Sequence, residues 1–443
     1  MQLNNSGKIR GCVGKTLKVL FVLILIFAVS FGAFDYYASF LLQREYNKIR
    51  RQNEPLFFSE VTANKIPDSE NAALLYIEAA KKLKLPKEYH FQHDASRHLI
   101  TLVIQNNRNA MQLVERASQM TQSHFPVQTK GSPDNWIDMK IGKMRDLARF
   151  ICLNALENAQ RHDYTKAFQQ IGYIDQLAAR TANGDTLIGF LVARAIQGIE
   201  IKATYLILQN AKLTKQQAQS CIRLLPHSDW HQMFYDNMIG ERAFNISSGE
   251  YLLSDIWNRR VNEEEEWDED DPTLFKHRGF VTRPLLIMDQ VYLLRLWQKV
   301  LLQAKKPGAV NVDYETQMKN RLDQLPFYAS QAKEAQEIYL HSFENRDRAE
   351  VDQRQQEIAI ALNAYKSEHG NYPKTLTQAE QFWGSNFPLD PYTNKPFHYR
   401  VQNQEYVLYS VGPNRVDNGG IKQPKDKWDF SKVTDLIWGH YRN

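Results

Sequence analysis

Cysteine is scarce in this chain of 443 residues: only Cys12, Cys152 and Cys221 are present, too few for a disulfide-dense scaffold. Its 16 prolines and 20 glycines leave no collagenous repeat and no long flexible linker. There is no G-x-S-x-G elbow, H-E-x-x-H, C-x-x-C or G-x-G-x-x-G, so no familiar nucleophile, zinc or dinucleotide site announces a reaction. "Gly14-Lys15-Thr16" ends like a phosphate loop, but the first Gly of that motif would fall at Ile9 and an apolar run follows. The net charge of +5 is small and gathers in the first eighteen residues, which argues against a dedicated nucleic-acid binder.

Long apolar runs are equally scarce, and the single clear one carries most of the topological information. Residues 17–34, "LKVLFVLILIFAVSFGAF", hold one charge, Lys18. At about 1.5 Å per residue they reach about 27 Å, enough to cross a hydrocarbon core of about 30 Å with snorkelling ends. Lys8, Arg10 and Lys15 precede the run without an acidic residue. The positive-inside rule therefore places 1–16 as a cytoplasmic tail and exports the remainder. Tyr36 and Tyr37 follow where an aromatic belt belongs.

A cleaved signal peptide is the competing reading. "Ala28-Val29-Ser30" has small residues at the right offsets but lies inside the apolar run, and "Phe31-Gly32-Ala33" puts a bulky Phe where a small residue is wanted. An uncleaved single-pass anchor at 17–34 is preferred. Cys12 precedes the run and makes no lipobox.

From 35 to 328 the sequence predicts an exported helical body. "TLIGFLVARAIQGIEIKATYLIL" is apolar nearly all round, the mark of a helix buried on several sides. Arg194 and Glu200 interrupt it and argue against a second span. "LTKQQAQSCIRLLP" offers Thr214 as an N-cap and Pro226 as a stop. Glu241 and Arg242 could serve a site or form ion pairs, and a pair inside the helical body is preferred.

Metal readings in the body are weaker than solvated ones. His90, His93 and His98 lack zinc-site spacing, and His227 falls in a helix entrance beside Pro226. The acidic run 263–271 reads as a solvated loop. Cys152 and Cys221 lie among apolar helix residues, leaving a bridge or two buried thiols, with thiols preferred.

Residues 329–443 predict a long helix followed by a small α+β module. Val351, Ile358, Leu362 and Tyr365 share a helical face, Gly370 stands where a left-handed C-cap would end the helix, and Pro373 prevents its resumption. A "PLDP" turn and two alternating runs, "KPFHYRV" and "EYVLYSV", then predict an antiparallel hairpin. Replacing Leu362 by Asp is expected, on this reading, to break the terminal module and spare the body.

Gly370, Tyr372, Pro373, Asp390, Pro391, Asn394, Pro396, Phe397, Tyr399 and the tail "YSVGPNRVDNGG" stand in an order that resembles the globular part of type II secretion major pseudopilins. The resemblance covers roughly a sixth of the chain, and the Gly-Phe junction and mature Glu of a pseudopilin N-terminus are absent. It implies a bacterial inner-membrane protein, and calcium held late in the module by Asn414, Asp417, Asp426 and Asp429 with nearby backbone carbonyls. A surface loop closed by Asn418, Gly419 and Gly420 is the other reading. "HDYTKAF", with Tyr164, Ala167 and Phe168, resembles one tetratricopeptide-type hairpin, without a second copy at a fixed period.

The expected fold class is mainly α: an N-terminal transmembrane helix, a helical-hairpin body and a small C-terminal α+β module with an antiparallel hairpin. The expected function is a membrane-anchored scaffold or protein-binding component of the cell envelope. It would touch the bilayer through 17–34 and other envelope proteins through its exported part. An envelope enzyme with a site built from scattered residues is the alternative.

Overall fold

The computed structural model describes residues 5–62, 66–85, 97–127, 133, 139–182, 185–258, 282–306, 316–318, 320–321, 324–421 and 435–439. The protein is mainly helical, with one long apolar N-terminal helix and a small antiparallel sheet near the C-terminus.

Helix α1 (Asn5–Arg51) runs unbroken from the apolar segment into the body. Its most apolar eighteen-residue window has a mean hydropathy of 2.6, and none of it is buried. Beyond Phe34 the helix changes character. Ala38, Leu41, Leu42, Glu45, Tyr46 and Ile49 recur at three- and four-residue intervals and are all buried. They pack with Ile246, Ile287, Met288, Val291 and Leu294, from α10 (Trp230–Asn258) and α11 (Arg283–Ala304). Polar contacts fix the register: Arg283 pairs with Asp35, Gln298 donates to Glu45 at 2.7 Å, and Tyr46 donates to Glu250 at 2.7 Å.

The body is built from antiparallel helical hairpins. Helix α6 (Lys143–Gln160) turns through His162, at φ 63°, into α7 (Tyr164–Thr181), whose N-cap Asp163 accepts from Lys166 N at 3.1 Å. Helix α8 (Leu187–Asn210) contacts α6, α7 and α10, which explains why its apolar residues are not confined to one stripe. Thr214 caps α9 (Lys215–Arg223) in a capping box with Gln217, as its sequence predicts.

Gly172 on α7 lets the chain at Leu224 approach closely, since a Cβ there would lie 2.3 Å from the Leu224 carbonyl oxygen. Gly172→Ala must therefore push α7 and the end of α9 apart. A loss of about 1–3 kcal/mol in chemical denaturation is expected, whereas unchanged stability would show that this contact relaxes freely.

Helix α12 (Ser330–His369) is one 40-residue rod. Gly370 ends it at φ 80° and donates to Lys366 O at 2.8 Å, the predicted left-handed C-cap. A short helix the sequence reading missed, α13 (Leu376–Trp383), follows with Thr375 as N-cap. Strands β1 (His398–Gln402) and β2 (Glu405–Ser410) form the predicted hairpin, with Val401 opposite Tyr406. Asn403 and Gln404 turn it with φ 51° and 63°, the two-residue turn whose twist suits a hairpin. Strand β3 (Leu436–Ile437), also missed, pairs antiparallel with β2 to complete the order β1-β2-β3.

One apolar cluster runs through both halves of the chain. It joins Phe150, Ile171 and Ile196 of the body to Ile358 and Leu362 of α12, to Leu408 of β2 and to Trp438 just after β3. Leu362 therefore serves the body as well as the terminal module.

Candidate functional site

The richest convergence of polar side chains lies where α7, α8 and α12 meet. Three contacts between α8 and α12 recur every seven residues in one register. Gln197 Nε2 donates to Ala349 O at 3.0 Å, Gln356 Nε2 donates to Thr204 Oγ1 at 2.8 Å, and Asn363 Nδ2 donates to Ala211 O, just past α8, at 3.0 Å. Such a ladder belongs to two parallel helices meeting along a heptad seam, where buried polar groups specify register. Arg194 and Asp352, both nearly buried, pair at one end.

Two carboxyls lie at this junction, Glu200 in the seam and Asp175 on α7. Glu200 accepts from Gln356 Nε2 at 2.6 Å, and Asp175 accepts from Ser228 Oγ at 2.9 Å. Burial pushes Asp175 up to about 6. It raises Glu200 well above the usual carboxylate range, and the neighbouring Asp175 adds to that rise. Glu357 is raised too, by burial. Trp230 Nε1 of α10 donates to Gln353 Oε1 of α12 at 3.1 Å. Buried carboxyls held in hydrogen bonds help to order the packed helices here. Sequence reasoning marked Arg194 and Glu200 as interruptions in an apolar helix but could not supply their partners, which lie about 150 residues downstream.

A cavity of about 450 Å³ lies elsewhere, at the end of α1, lined by Arg50, Asn53, Glu54, Pro55 and Glu60. Its charges are matched: Arg50 pairs with Glu60 at 2.6 Å, and Arg242 reaches Glu54 at 2.6 Å and Pro55 O at 3.0 Å. Arg242 forms the expected ion pair inside the helical body. Arg242 bonds across to the loop after α1, whereas Glu241 accepts from Leu187 N at 2.9 Å, where the first N–H groups of α8 need acceptors.

The metal candidates separate. Asp426 and Asp429 lie outside the described residues, as do His90, His93, the side chain of His98 and the acidic run 263–271. Asn414 Oδ1 accepts from Val416 N at 3.0 Å and its amide donates to Asn418 Oδ1 at 3.1 Å. Asp417 Oδ1 accepts from Gly419 N at 2.8 Å and Tyr409 OH at 2.9 Å, while His398 lies 3.2 Å from Oδ2. Asp435, which sequence reasoning did not single out, accepts from Asn418 N at 3.2 Å and Gly420 N at 2.6 Å. Among the described residues no group of three or more His, Cys, Asp or Glu could hold a metal ion. Cys152 and Cys221 are free and buried, with burial pushing both thiols up to about 12.

Raised carboxyls make stability depend on pH in a definite sense. Burial lifts Asp185 to about 7 and Asp289 to about 6, like Asp175. Each folded value exceeds an unfolded value of about 3.9. The native state thus holds the extra protons, and the contribution is complete below about pH 4 and lost as pH rises through about 6–7. Glu60 and Asp417 act oppositely, being held low by the Arg50 hydrogen bond and the Gly419 N–H, so their contribution is lost in acid. Chemical denaturation at about pH 5 should give a higher midpoint than at about pH 8. A higher midpoint at the alkaline end would show that the buried carboxyls ionise without cost.

No family model matches the sequence, and neither the curated proteins nor the solved structures contain a match to it.

Proposed function

We propose that the chain is a membrane-anchored scaffold or protein-binding component of the bacterial cell envelope. In this reading 17–34 crosses the inner membrane, the N-terminus stays in the cytoplasm and the body is exported. The observation that carries it is α1 itself. Its bare apolar segment continues without interruption into a stripe packed on α10 and α11, so a span and a folded body share one helix. The basic residues before the span favour this orientation. The order of turn, hairpin and tail supports a link to secretion through the pseudopilin resemblance.

The second reading is an envelope enzyme, and the convergence of Asp175, Glu200 and Glu357 favours it. The hydrogen bonds that occupy Asp175 and Glu200 suit a role in holding helices together, so the scaffold reading is preferred.

A reporter active only in the cytoplasm, fused after Asn443, is expected to stay silent, while one active only after export gives signal. The reverse pattern would overturn the orientation. Pull-down from membranes through a C-terminal tag then asks whether a second envelope protein accompanies the chain.

A further inference from the structure

The loop that joins α9 to α10, residues 224–229, closes over the junction of α7, α8 and α12. Gly172 lets Leu224 lie against α7. Ser228 Oγ donates to Asp175 Oδ1 of α7 at 2.9 Å, and the His227 N–H acts on the same carboxyl. Past the loop, Trp230 ties the start of α10 to Gln353 of α12. Pro226, His227 and Asp229 face solvent, whereas Asp175 is 5% exposed and Glu200 is 3% exposed. His227 holds φ at 54°, in the left-handed region that residues other than glycine adopt sparingly and keep through their contacts.

Asp175 and Glu200 make no ion pair among the described residues. The charges around them are already divided. From α8, Arg194 pairs with Asp352 of α12. From α12 also come Arg348 and Glu357, and from the loop comes His227, which acts on both Asp175 and Glu357. The two carboxyls oppose each other. A carboxyl closed off from water without a cation of its own holds its proton more firmly than one in solution, and burial pushes Asp175 up to about 6. Opening the loop would bring water to Asp175 and return it to an ordinary value of about 3.9. The closed form therefore keeps the extra proton. Its advantage is complete below about pH 4 and is lost as pH rises through about 6.

We propose that residues 224–229 are a pH-released latch, held shut on Asp175 in acid and opening more often to water as the medium approaches neutrality. The latch does not depend on the anchor reading of 17–34. Hydrogen exchange of the full-length protein in detergent, followed by mass spectrometry and corrected for the intrinsic rate at each pH, measures the opening. The loop offers amides to follow: Leu225 N–H donates to Ile222 O at 3.0 Å and Trp230 N–H to Ser228 O at 3.1 Å. Between about pH 4 and pH 7 a peptide covering 224–230 should lose about a hundredfold in protection, the factor that a shift of about two units in one carboxyl carries. Asp175→Asn, similar in shape but without the ionisable proton, should abolish that loss, while His227→Gln should retain it. Ser228→Ala removes the donor to Asp175 and should lower protection of the loop already at pH 4, leaving residues 38–49 of α1 protected. Unchanged protection of the wild-type loop overturns the inference, as does an equal loss in Asp175→Asn. Disappearance of the loss in His227→Gln would assign it to the imidazole and also overturn the carboxyl latch. The same loss in peptides throughout the chain would show global unfolding in place of a latch, and a loop indifferent to Ser228→Ala would show that nothing is held there.

Discussion

Leu362→Asp is expected to unfold the helical body together with the C-terminal hairpin. Leu362 is fully buried in the cluster that joins α8 to α12 and reaches Leu408 and Trp438. An unpaired carboxylate there costs on the order of several kcal/mol, a large share of the 5–15 kcal/mol that holds a typical domain. Beside Leu362, Asn363 bonds to the carbonyls of Leu208 and Ala211, so a disturbance at this turn reaches the end of α8 directly. Limited proteolysis should cut the 143–258 region and the 398–410 hairpin with equal ease in the variant. Persistence of a resistant body fragment after loss of the hairpin would show two units that unfold separately.

Arg194→Ala should be nearly as damaging. Arg194 is nearly buried, pairs with Asp352 and donates to Gln197 Oε1 at 3.0 Å. Removing it leaves Asp352 buried without its cation, a change that costs about 3–5 kcal/mol in comparable sites. The double change Arg194→Met with Asp352→Leu should recover much of that loss, because two apolar groups of similar size require no desolvation of charge. Denaturant midpoints of the single and double variants decide the matter. A double variant as unstable as the single one would mean that the pair does more than balance its own charge.

What the sequence made legible was local. Thr214 and Gln217 lie three residues apart and cap their own helix, and Gly370 ends α12 through a bond to a residue four positions back. The hairpin pairs neighbours across two turn residues, although neither Asn403 nor Gln404 is a glycine. Strand β3 was hidden because two residues carry no periodicity; it exists through pairing with Tyr409 and Ser410 and through the bond from Gln355 Nε2 to Leu436 O at 2.8 Å. Helix α13 was passed over because eight residues offer barely two turns of pattern. The seam between α8 and α12 was half legible. Arg194 and Glu200 stood out as polar residues in an apolar helix, but Asp352 and Gln356 look like an ordinary solvated face until α8 covers them. The partner of Arg242 was hidden for the same reason, since Glu54 lies 188 residues upstream.

The unbroken course of α1 has a mechanical consequence. A chain tethered through a slack linker can swivel, and its exported part learns nothing of the bilayer beneath it. Here the helix that carries the apolar segment is packed on α11 through Leu41, Leu42 and Ile49, with Ile246 of α10 in the same cluster, so if that segment spans a bilayer its tilt is the tilt of everything above. A span of about 27 Å stands nearly upright in a hydrocarbon core of about 30 Å and leans over in a thinner one. For a protein anchored as proposed, bilayer thickness then sets the angle at which the hairpin end is presented to its neighbours. Inserting a few glycines after Phe34 would uncouple the two while leaving both the anchor and the body intact.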